Sequence, residues 1–137
     1  MKSLVAAVLL SLIAVQSMAA DAPKSLTADE VRTLLANKTL VGETQLPRFA
    51  ELKDKTFYVY IKGDGTLKIL NFHGKTDTGR WDVTPEGQYC SQYDNTRVGK
   101  KACYRVDRLD QGYALFDVRR QSVSTIFSTR DGNFKGL

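Results

Sequence analysis

The sequence predicts an all-β domain: an antiparallel up-and-down meander of seven or eight short strands, closed or nearly closed into a small barrel, with one short N-terminal helix. Three observations predict it. Apolar and polar residues alternate with a period of two over most of the chain after about residue 40. Short turn signals break the alternating runs at Gly63-Asp64-Gly65, Pro85-Glu86-Gly87 and Asp110-Gln111-Gly112. A single helix signature precedes them. No internal repeat, low-complexity run or interdomain linker divides the chain.

The N-terminus reads as an export signal. Met1-Lys2 provides a positive start, and residues 5–15 are apolar apart from Ser11. Ser17-Met18-Ala19 then places small residues at the two positions a signal peptidase reads, with cleavage expected after Ala19 or Ala20. Residues 1–19 are therefore expected to be a signal peptide and residues 20–137 a single β-barrel-like domain. The apolar run is too short to span a bilayer, so the mature chain is expected to have no transmembrane segment. No Cys follows the run, which argues against a lipid anchor. The expected location is the periplasm or the cell exterior.

Thr27-Ala28-Asp29-Glu30 is a capping box, in which Thr27 caps the amide of Glu30 and Glu30 reaches back. Val31, Leu34 and Leu35 follow at helical spacing and form an apolar stripe that must dock on the core. Asn37 or Lys38 ends the helix. Residues 56–62 then read as a strand of aromatic and β-branched side chains, turning at Gly63-Asp64-Gly65 into residues 66–72. Two registers compete. A two-residue turn puts Lys68 on the face of Val59 and Ile61. A three-residue loop with Gly65 left-handed in a bulge instead gathers Phe57, Val59, Ile61, Leu67 and Ile69. The second separates polar from apolar better and is preferred, because a one-residue slip exchanges the faces.

Residues 78–84 and 88–93 form the next hairpin, with Val83 facing Tyr89, Trp81 facing Ser91, and Arg80, Asp82 and Cys90 on the opposite face. Asp82 is expected to pair locally with Arg80. Residues 101–108 and 113–119 follow; Val106 is expected opposite Phe116 and Arg105 opposite Asp117 as an ion pair. A last strand covers residues 122–129. Trp81, Val83, Phe57, Val59, Ile61, Val106 and Phe116 are the expected core.

Cys90 and Cys103 are the two cysteines of the chain. In an oxidising compartment such a pair reads as a disulfide, worth about 3 kcal/mol for a loop of this length. His73 is the single histidine, which leaves too few ligands for a metal site, and no cofactor motif is present. The formal net charge is +5. Residues 20–54 are close to neutral, and the positive excess lies in residues 55–137. Such a balance favours anionic partners weakly, although scattered charge also serves solubility.

Several runs together carry a resemblance: 26–31 continuing to Gly42, Gly63-Asp64-Gly65-Thr66, Gly79-Arg80-Trp81-Asp82-Val83, Gly87-Gln88-Tyr89-Cys90, and Ala102-Cys103-Tyr104-Arg105-Val106. In this order they resemble a family of small exported bacterial proteins of unknown function with a lipocalin-like antiparallel build. The resemblance covers roughly residues 26–118. It implies a periplasmic or secreted β domain and brings no catalytic residue with it.

Catalytic chemistry finds little support. There is no Gly-x-Ser-x-Gly elbow and no His-Glu-x-x-His helix, and His73 lies in a predicted loop. The expected function is therefore non-catalytic binding rather than hydrolysis. One form of it uses Arg97, Lys100 and Lys101, on a basic hairpin bracketed by the disulfide, to meet an anionic envelope component or an acidic protein. The alternative is a lipocalin-like carrier with a small apolar or amphipathic ligand in the barrel, oriented by Trp81, Tyr104 and Arg105. Neither form calls for nucleic acid. Whether the barrel is hollow or filled is left open by its length.

Overall fold

The computed structural model describes residues 24–137; the expected signal peptide and its cleavage site lie outside the described residues. A two-residue strand β1 (Lys24–Ser25) leads into helix α1 (Ala28–Leu35). Eight strands follow: β2 (Lys38–Thr44), β3 (Thr56–Ile61), β4 (Thr66–Leu70), β5 (Thr76–Val83), β6 (Gln88–Tyr93), β7 (Ala102–Arg108), β8 (Tyr113–Asp117) and β9 (Ser122–Asp131). Each pairs antiparallel with the next, and β9 returns to β2, with Leu40 opposite Thr129 and Gly42 opposite Phe127. The eight strands close into a barrel, so the sheet keeps no long open edge. β1 adds to β7 at Asp107 and Arg108, beyond the point where β6 ends its pairing.

β2 is the strand that local composition marks least. Lys38-Thr39-Leu40-Val41-Gly42-Glu43-Thr44 mixes good β formers with Gly and charge. It is a strand because β3 and β9 both bond to it and complete the barrel.

Two hairpins follow the expected geometry. Lys62 donates to Thr66 and Gly65 donates back to Lys62, with Gly65 at φ 89°, which is the three-residue loop with a left-handed glycine. Ile61 then opposes Leu67 and Val59 opposes Ile69, all four buried inside. The turn at Thr84–Gln88 repeats the pattern, and Val83 faces Tyr89 while Trp81 faces Ser91.

The β7–β8 hairpin departs from it by one residue. Leu109 bonds to Gly112 across a two-residue loop, so Val106 opposes Leu115 and Arg105 opposes Phe116. Gly112 closes this turn with a left-handed φ of 78° and lies close to β9, where a Cβ would stand 2.7 Å from the Phe127 carbonyl oxygen. The slip puts Leu115 in the core in place of Phe116. Phe116 turns outward under the Arg105 guanidinium, 4.3 Å from its ring. Arg105 therefore binds Asp107, at 2.7 and 2.8 Å, and not Asp117. Ser25 of β1 donates to the same carboxylate at 3.0 Å. Asp82, which opposes Cys90 of β6, pairs with Lys101, at 3.0 Å, and not with Arg80, because the long Lys101 side chain reaches it across β6.

Helix α1 stoppers one end of the barrel. Both capping-box bonds are present. Val31 and Leu35 are fully buried in the same cluster as Leu40, Val59, Ile61 and Val106. Arg32 donates to the Val83 carbonyl at 3.3 Å, which fastens the helix to the end of β5. After the helix, Asn37 takes a left-handed φ of 60°, and its side chain accepts from the Gly63 amide at 2.8 Å. That bond ties the helix end to the β3–β4 turn. Trp81 sits at this end too, half-buried rather than central, with its indole Nε1 donating to Lys62 at 2.7 Å.

Candidate functional site

With one end stoppered, the opposite end is ringed by four connections: residues 45–55, 71–75, 94–101 and 118–121. A cavity of about 320 Å³ opens among them and runs into the barrel. That is at the small end of the roughly 300–1,000 Å³ range of ligand pockets. Its two walls differ in chemistry. β2, β3 and β4 contribute Leu40, Phe57, Val59 and Ile69, with Thr44, Asn71 and His73 nearer the mouth, where Phe49 meets Phe72 edge-on at 5.0 Å. The facing wall is polar: Tyr89, Ser91 and Tyr93 from β6, and Tyr104 from β7.

Two local features shape the cavity. Gly42 faces inward against the Phe57 ring, and a Cβ there would stand 2.6 Å from Cζ. Any larger residue would drive that ring out of its place. On β9 a bulge sets Leu115 opposite Thr125 but Phe116 opposite Val123, so Ser124 is the extra residue. Ser124 and Thr125 consequently both line the cavity.

The loop after β6 delivers Arg97 to the cavity. Arg97 and Val98 both adopt left-handed backbone, φ 56° and 55°, a conformation costing on the order of 1–3 kcal/mol in a non-glycine residue. Val98 projects to solvent, and Arg97 lines the cavity. Asp77 of β5 holds the loop in this shape. Its carboxylate accepts from the amides of Asn95, at 3.0 Å, and Thr96, at 2.7 Å, and from the Thr96 hydroxyl at 2.8 Å. Arg97 then donates to the Ser91 carbonyl at 2.8 Å and the Ser91 hydroxyl at 3.0 Å, and its guanidinium lies 4.9 Å from the Tyr93 ring centre.

Burial alone would raise the Asp77 carboxyl, but the donors from Thr96 and Asn95 outweigh it and hold it well below the usual carboxylate range. A carboxyl depressed in the folded state stabilises its surroundings above its unfolded value, near pH 4, and loses that contribution as pH falls through the folded value. The loop should therefore stay anchored from neutral pH down past about pH 4 and release only in stronger acid. In Asp77→Asn the anchor should weaken at neutral pH, because an amide brings a donor where the carboxylate had an acceptor. Hydrogen exchange at Asn95 and Thr96, corrected for intrinsic rates, should rise at neutral pH in the variant. Unchanged protection would show that the loop holds its shape without Asp77.

The two buried phenols behave differently. Burial pushes the Tyr89 hydroxyl up to about 12, and burial likewise carries Tyr93 well above its ordinary value. Both stay protonated at physiological pH and keep an O–H.

The residues singled out by sequence are brought together in part. Arg97 and Tyr104 line the cavity. Lys101 is engaged by Asp82 on the outer face, and Lys100 is exposed. Lys100 and Lys101 line a second cleft beside the mouth, which Arg97 and Tyr104 also border, together with Arg48, Asp117, Arg119 and Arg120. Arg105 lies outside on Asp107, and Trp81 lies at the stoppered end, away from the cavity lining. Cys90 and Cys103 are directly opposed on β6 and β7 and are joined by a disulfide. Among the described residues no group of three or more His, Cys, Asp or Glu side chains is placed to hold a metal ion. The inward run Tyr89-Ser91-Tyr93 had a sequence signal, polar residues at alternate positions of one strand, but its junction with Arg97 did not.

Fold and site together define an antiparallel eight-stranded barrel with one end stoppered by a helix and the other open to a two-faced cavity. Comparison with protein-family models, with curated proteins and with solved structures found no match. No described helix is long and apolar enough to cross a membrane.

Proposed function

We propose that this protein is a non-catalytic carrier that holds a small amphipathic molecule inside the barrel, in the manner of a lipocalin. The observation that carries the reading is the cavity, apolar on the β2–β4 side and hydrogen-bonding on the β6–β7 side. Arg48, Lys100 and Arg119 in the neighbouring cleft, which join no ion pair among the described residues, favour anionic solutes at the open end. Export to the periplasm or the exterior belongs to the same proposal, and the Cys90–Cys103 disulfide supports it. Membership of the exported lipocalin-like family rests on the turn glycines, Trp81 and the cysteine pair. Surface recognition of an anionic partner by Arg97, Lys100 and Lys101, which border one cleft, has less support, since Arg97 is engaged by Ser91 and Lys101 is ion-paired.

The test uses an uncharged apolar fluorophore, N-phenylnaphthylamine. Saturable one-to-one binding with a blue-shifted emission is expected. Ser124→Trp, which places an indole at the bulge facing the cavity, should abolish binding while the far-ultraviolet circular dichroism is retained. Non-saturable binding, or saturable binding that survives in a folded Ser124→Trp protein, would move the ligand out of the barrel.

A further inference from the structure

Resting on that reading, we infer that the cavity selects ligands with a carboxylate head group, held by Arg97 with the tail against the β2–β4 wall. Arg97 is a charged group with neutral company. Its two hydrogen bonds go to the Ser91 carbonyl and hydroxyl, both from Nη2. It joins no ion pair among the described residues, and no Asp or Glu lines the cavity. Its Nε is buried and has no hydrogen-bond partner among the described residues. Leaving a buried donor of a charged group unpaired is costly, and an anion arriving at Nε relieves that cost.

The guanidinium is also pre-positioned. Ser91 grips one nitrogen, the Tyr93 ring lies under the plane, and Asp77 fixes the loop that carries it. Two successive residues of this loop take left-handed backbone, and the Arg97 side chain on it lines the cavity. With Nη2 taken by Ser91, the unpartnered Nε–H is left to meet one carboxylate oxygen in a charge-assisted hydrogen bond. A phosphate dianion would meet a single internal cation, since the other arginine at the cavity, Arg48, is exposed at the rim. The protonated phenols of Tyr89 and Tyr93 stand on the same wall as additional donors. Opposite them, Leu40, Phe57, Val59 and Ile69 offer only hydrocarbon.

The experiment compares two probes of equal chain length, decanoate and decanol, by calorimetry at physiological ionic strength. The readout is the ratio of their affinities, which a general loosening of the barrel does not move. Wild-type protein should prefer decanoate by about tenfold to a hundredfold, the range of a charge-assisted hydrogen bond. Arg97→Met should bring the ratio close to one, and Arg97→Lys should restore part of it. A wild-type ratio near one would overturn the head-group assignment while leaving the interior carrier standing. A preference that persists in Arg97→Met would place the selectivity in the cations of the rim and equally overturn it. If neither probe binds, the interior reading falls with it.

Discussion

Leu35→Ala is expected to cost about 2–5 kcal/mol, the range for truncating a leucine in a well-packed core. Leu35 is fully buried, and it is the last helical residue of a stopper only eight residues long. A helix this short is unstable alone, so its stability comes from the apolar stripe it buries. Removing that stripe's end leaves a void against the barrel and weakens the hold on the stoppered end. Against a total of roughly 5–15 kcal/mol for a domain, the loss should appear as a large fall in the denaturation midpoint with little change in slope. Leu34→Ala, one position away and half-buried, should cost clearly less. Equal effects from the two, or a loss under about 1 kcal/mol for Leu35, would mean that the helix rests on the barrel without stabilising it.

The disulfide is the second large contribution. Replacing both Cys90 and Cys103 with Ser should destabilise the domain by about 3 kcal/mol, and lower Tm by roughly 10–20 °C at this chain length. Cys90 is fully buried, and the bridge closes a sequence separation of 13 that contains the whole Arg97 loop. The same loop is pinned at its other side by Asp77, so the reduced protein should keep the barrel but hold the loop less firmly. Scanning calorimetry of the double variant, beside thiol titration of the denatured unreduced parent, measures both statements. Two titratable thiols in the parent would remove the bridge, and an unshifted Tm would remove its energetic role.

Much of the architecture was legible because it is local. The capping box at Thr27 and Glu30 acts over three residues, and the structure places the helix where that box starts it. The Gly63-Asp64-Gly65 loop determines its own hairpin register, since a left-handed glycine and a short count admit one bulged geometry. The Cys pair is readable for a similar reason: a hairpin sets two strands side by side, and a register pairing Cys90 with Cys103 makes the bond. The barrel itself follows from a meander of alternating strands too long to leave its edges open.

The hairpin at Asp110-Gln111-Gly112 resembled the other two in sequence and folded differently. Its glycine is needed where β8 passes the Phe127 carbonyl, which belongs to a strand fifteen residues further on. β2 was weak in composition and became a strand because two neighbours bond to it.

By itself the sequence determined the fold class, the helix cap, two of three hairpin registers and the disulfide, because each depends on spacings along the chain that turn geometry converts directly into contacts. Only the tertiary structure decided that the barrel is hollow, since a cavity is the volume left after eight strands close, and Gly42 and the Ser124 bulge contribute to it only from inside. It alone decided that Arg97 points inward while Lys101 stays outside. That direction comes from a left-handed backbone that sequence propensity disfavours, and it is held by a carboxylate twenty residues earlier on another strand.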